Sequence, residues 1–164
     1  MAPSNPETYY FTPTPHVPNS PLPVLIYRAV LPTNPDPEST RETIEPNRWI
    51  QGGVFKTYTA HHFHSVTHEC YAVFKGKSTL LLGRGPLDQR EGGVEVELGV
   101  GDIIVLPGSP HWDNNFCKAD EKETQEKARN ARNVPIPEFD PIYGKGGPLV
   151  RIWGDAAAAA AAAA

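Results

Sequence analysis

No run of about 20 apolar residues occurs anywhere in the chain, so nothing in it reads as a helical membrane span. Met1 to Pro23 has neither a basic start nor a continuous apolar segment. It therefore does not read as a secretory signal, and the expected location is cytoplasmic. An excess of one charge is also missing. The formal net charge is -4 with both signs scattered, and the basic stripe that a nucleic-acid binder needs is absent, so nucleic acid is not an expected partner. Cysteine is scarce. Cys70 and Cys117 are the only two, too few for a disulfide framework, and they read as reduced thiols behaving as small hydrophobes.

Proline and glycine are what the chain has in quantity, 18 and 14 of 164 residues. That length is enough for one domain to bury a core without covalent staples. The prolines crowd residues 1–23, which predicts an extended Pro-rich N-terminal arm lying across the domain. The domain itself is expected over 24–155, ending in a helical or extended segment. The nine alanines of 156–164 form a tail that carries no fold information and is set aside.

Within the domain, Val24-Leu25-Ile26-Tyr27 reads as a buried strand. Pro37 and Pro46 bracket one short helix within Asp36–Asn47. From Val54 the pattern turns to short strands separated by Gly-rich or polar turns: Val54–Ser65, Glu69–Leu82, Gly93–Leu98 and Ile103–Leu106. Val94-Glu95-Val96-Glu97-Leu98 alternates between an apolar and a charged face. Such spacing indicates an all-β barrel or sandwich. After Leu106 the strand pattern stops. Lys118–Asn133 is highly charged and predicts a solvated helix with pairs such as Glu123 with Lys127. Leu149-Val150-Arg151-Ile152-Trp153 is expected to add a last strand or dock on the barrel.

The chemistry concentrates in His61-His62-Phe63-His64-Ser65-Val66-Thr67-His68-Glu69. On a strand, side chains repeat every second residue, so His62 and His64 project from one face about 7 Å apart. The polar stretch Ser65–His68 allows a turn, and a hairpin returns Glu69 to the same interior. Two imidazoles and a carboxylate suit one divalent transition metal ion, with Fe, Mn, Ni, Zn and Cu not distinguished. The turn-forming Gly76 and the clustering of histidines add specificity. By strand alternation Tyr58 shares the face of His62 and Tyr71 that of Glu69, so both are candidates to line the pocket and contact substrate; each is otherwise a core aromatic. His68 sits in the turn, where an imidazole can act as a general base.

The spacing His62-x-His64-x4-Glu69-x6-Gly76 resembles the first signature motif of the cupin superfamily, and Gly101-Asp102-Ile103-Ile104-Val105-Leu106-Pro107 resembles the start of the second. Together with Pro18–Arg28, Val134-Pro135-Ile136-Pro137 and Asp140-Pro141-Ile142-Tyr143-Gly144, these stretches resemble the YjlB-like cupins, small single-domain proteins of unassigned activity. The resemblance implies an all-β, single-domain cupin barrel, a double-stranded β-helix or jelly roll, with one or two short peripheral helices. It also implies a fourth metal ligand from the second motif. Two readings stand there. In one, His111 is that ligand on a shortened loop, followed by Asn115. In the other, the ligand-bearing loop and the next strands are missing, leaving the barrel incomplete after residue 107 and His111 in a later region.

An ion held by three or four protein groups keeps open positions, as a catalytic site requires. The expected activity is metal-dependent chemistry on a small organic molecule, of the dioxygenase type among oxidoreductases. The rivals are a non-redox isomerase, epimerase or lyase, and a non-catalytic small-molecule-binding module. Unpaired edge strands favour a homodimer.

Overall fold

The computed structural model describes residues 4–57, 59–60, 62, 64, 67–88, 93–108, 122, 126, 129 and 133–163. Over these residues the chain is a β-rich domain of antiparallel sheets flanked by two helices. The strands are β1 (Glu7–Tyr9), β2 (Val24–Tyr27), β3 (Glu69–Ala72), β4 (Lys77–Leu82), β5 (Val94–Gly99), β6 (Ile103–Leu106), β7 (Phe139–Asp140) and β8 (Gly144–Lys145). The helices are α1 (Pro37–Ile44), continued by a 3-10 turn at Glu45–Asn47, and α2 (Pro148–Ala162).

The main sheet has the order β1-β2-β6-β3, and β4 and β5 form a second, two-stranded sheet. Strand β6 is apolar at every position because both faces are covered. Ile103 and Val105 point into one layer with Leu25, Tyr27, Leu149 and Trp153. Ile104 points into the other with Val24, Ile26, Leu82, Val96 and Leu98. The first layer lies against α2, and the second against the β4–β5 hairpin. In β5 the alternation emerges as read: Val96 and Leu98 are buried while Glu95 and Glu97 stay exposed. Between β3 and β4 the chain turns at Gly76, whose φ of 72° is a left-handed conformation that favours glycine.

Helix α1 forms where the prolines bracket it. Asp36 caps it through the Ser39 amide at 2.8 Å, and Ser39 Oγ accepts from the Asp36 amide in return, at 3.0 Å.

Three expectations need correction or completion. Leu149–Trp153 is helix, not strand. Pro148 occupies the first helical turn, and Leu149 and Trp153, one turn apart, are both fully buried. None of the described residues of 54–64 belongs to a strand; Val54 and Phe55 stand exposed, without the burial that favours such residues in a sheet. The N-terminal arm is not only extended chain, since Glu7–Tyr9 adds β1 to the edge of the main sheet, paired with β2.

Within Lys118–Asn133, Lys122, Glu126 and Arg129 are helical and exposed, while the Glu123–Lys127 pair lies outside the described residues. Helix α2 runs on through the alanines to Ala162, with no buried residue beyond Trp153. No helix among the described residues is long and apolar enough to cross a membrane.

Candidate metal centre

Glu69 opens β3 and pairs with Leu106 of β6. Side chains alternate along β3, so Cys70 and Ala72 enter the layer against α2, while Glu69 shares the face of Tyr71, which packs into the layer between the two sheets. The sheet thereby directs one carboxylate toward an apolar interlayer.

His62 and His64 meet it there. One ligand atom from each of His62, His64 and Glu69 lies within 4.8 Å of the others. The two imidazoles are edge-to-face, 5.3 Å between ring centres. His62 Nδ1 is 3.0 Å from the Ala60 carbonyl. The N–H that donates there makes Nε2 the ring's acceptor nitrogen, an orientation that metal-binding histidines use.

His64 Nε2 and Glu69 Oε2 are 2.8 Å apart. Distance alone would make this an ion pair. The donor direction does not meet the carboxylate, however, and neither atom has a hydrogen-bond partner among the described residues although both are buried. A hydrogen bond needs alignment as well as proximity, so this close approach is not one. Two buried electron-pair donors without a shared proton are costly unless a third group satisfies both. A cation is the group that two such donors and His62 fit.

Tyr71 stands beside this set. Burial, reinforced by the Glu69 charge, pushes its phenol well above the ordinary range, so it remains a proton donor. Cys70, on the opposite face, is pushed up to about 12 by burial with Asp140 and Glu69 nearby, which keeps it an unreactive thiol.

His68 is placed differently from a general base open to substrate. Its Nδ1 accepts from the Gly108 amide at 2.7 Å, its Nε2–H donates to the Pro135 carbonyl at 3.0 Å, and its ring lies 4.6 Å from that of Trp153. Burial lowers its pKa, and the Pro135 carbonyl opposes this only in part. Both nitrogens are committed to backbone groups. Tyr58, His111 and Cys117 lie outside the described residues.

Sequence reasoning missed Asp140 as a structural centre. Its buried carboxylate accepts from Tyr27 Oη and from the amides of Ile142, Tyr143 and Leu149, all within 2.9 Å. The last of these caps α2 from outside the helix. The available signal was an aspartate directly before Pro141 in a turn-rich stretch ahead of Pro148.

No family model matches this chain, and no solved structure matches it. The chain is similar to the uncharacterized protein YjlB of Bacillus subtilis (strain 168), 28% identical over 163 residues that cover 90% of this chain and 96% of that protein.

Proposed function

We propose that this protein is a metal-binding cupin that holds one divalent transition metal ion through His62, His64 and Glu69 and acts on a small organic molecule. The reaction is of the dioxygenase type. The observation that carries this reading is the buried approach of His64 Nε2 to Glu69 Oε2 at 2.8 Å without a hydrogen bond, with His62 completing the set. Two histidines and one carboxylate form the donor set typical of non-haem iron oxygenases.

Further support comes from position. Glu69 lies on the sheet face turned toward the β4–β5 hairpin, as expected of a jelly roll with its site between sheets. When bound, the ion supplies positions for dioxygen and a chelating substrate. The chain's own residues supply the rest. The Ala60 carbonyl orients His62, the β3–β6 ladder fixes Glu69, and Tyr71 offers a hydrogen-bond donor beside the carboxylate. Leu82, Val96, Leu98 and Ile104 form the apolar interlayer against which Tyr71 packs.

Elemental analysis of the purified protein before and after anaerobic loading with Fe(II), alongside His62→Ala, tests the metal. About one ion per chain, lost in the variant, is expected. A wild-type protein that takes up none overturns the reading. Oxygen uptake during turnover tests the redox step, and full turnover with Zn(II) would move the assignment to an isomerase or lyase.

A further inference from the structure

We infer that His68 is a positioning residue for the carboxylate ligand, clasping the backbone immediately ahead of Glu69 to three other parts of the chain. This rests on the metal reading above. Neighbouring residues in extended chain face opposite ways, so the His68 ring leaves the interlayer that Glu69 enters and reaches the opposite side of the sheet, where Trp153 lies. There its two nitrogens do different work. Nδ1 accepts the Gly108 N–H at 2.7 Å and Nε2–H donates to Pro135 O at 3.0 Å. Only one neutral tautomer satisfies both bonds. Trp153, packed on the ring, donates in turn to the Pro23 carbonyl at 2.8 Å.

The consequence concerns Glu69 directly. Its backbone is held on one side by pairing with Leu106, and Gly108, two residues further on, is held by His68. The pair of positions 68 and 69 is thus gripped at both ends of one short stretch of β6 and the residues after it. Gly108 fits this grip closely. A Cβ there would lie 3.1 Å from the Thr67 carbonyl oxygen and 3.1 Å from Val134 Cγ2. Groups that orient metal ligands without touching the ion set affinity as strongly as about 10- to 100-fold.

Cobalt(II) is the probe, because its visible spectrum reports ligand geometry and its affinity is measured by competition with a chelating dye. His68→Leu should weaken binding by about 10- to 100-fold and alter the spectrum. His68→Asn, whose Oδ1 takes over the acceptor position of Nδ1, should recover most of both. Gly108→Ala should fall between them, with the metal-binding side chains untouched. Thermal unfolding of the metal-free proteins runs in parallel. A folded His68→Leu protein with wild-type cobalt affinity and spectrum overturns the inference. If that variant does not fold, unchanged affinity in Gly108→Ala overturns it instead. A wild-type protein that binds no cobalt fails at the metal reading itself, an outcome distinct from the other two.

Discussion

Tyr27 donates its phenolic hydrogen to Asp140 Oδ2 at 2.5 Å, both side chains fully buried. The bond ties the second strand of the main sheet to the turn that launches α2. Burial, with the Asp140 carboxylate beside it, drives the Tyr27 phenol far above its usual range, so the proton stays on the tyrosine.

Removing either partner has unequal costs. Tyr27→Phe takes away one hydrogen bond to a charged group, a loss of about 1.5–3 kcal/mol. Asp140→Ala strands the tyrosine hydroxyl and the amides of Ile142, Tyr143 and Leu149 together, and the expected loss is about 3–5 kcal/mol. Urea unfolding measures both. Equal midpoints for the two variants would show that Asp140 does not organise the turn.

Acid should act through Asp102. Burial tends to raise its pKa, but the amides of Gly99 and Ala29 and the Arg28 guanidinium outweigh this, and the net shift is downward. A carboxyl depressed in the folded state stabilises fully above its unfolded pKa of about 3.9 and loses that contribution as pH falls through the lower folded value. Glu7 shifts the same way, chiefly through Arg28. Thermal melts should therefore fall steeply below about pH 4. The fall should be shallower in Asp102→Asn, which starts from a lower midpoint at neutral pH.

Metal should stabilise the fold by mass action. With free Fe(II) about a hundredfold above its dissociation constant, the gain is about 2.7 kcal/mol, and a chelator should reverse it. His64→Ala and Glu69→Gln should show no metal-dependent rise in Tm. A rise that survives both substitutions would place the ion elsewhere.

Gly76→Ala should cost about 1 kcal/mol, because its φ of 72° is strained for a residue with a Cβ although no atom stands in the way of one. Gly76→Asn should cost less, since asparagine tolerates the left-handed region better. Equal midpoints in chemical denaturation for all three would mean that the turn relaxes.

What could be read from the sequence follows from how local its physical cause is. Val24–Tyr27 and Ile103–Leu106 are legible because a strand covered on both faces must be apolar throughout. Asp36 and Pro37 announce α1 because capping is a matter of adjacent residues. Leu149–Trp153 misleads for the opposite reason. Five residues rich in Leu, Val and Ile resemble a strand, and helix wins only because Asp140 caps α2 and a buried layer receives Leu149 and Trp153 on one face. For the candidate site, the residue types and spacing pick out His62, His64 and Glu69. The assumed geometry is another matter: strand alternation would have aligned the imidazoles, yet their described neighbours form no strand. His68 shows the same limit, because its partners Gly108 and Pro135 are distant in the chain and carry no side-chain signature.

The contact between the Trp153 indole and the Pro23 carbonyl also bears on how the chain is made. With Arg151 reaching Asn5 and Ser4 meeting Tyr143, early and late segments complete one another. A nascent chain lacking residues 139–153 cannot close the layer beneath its main sheet. Folding must then finish only after that stretch has left the ribosome, at the slow pace that long-range pairing imposes. The half-assembled sheet is the species that chaperones would have to shield.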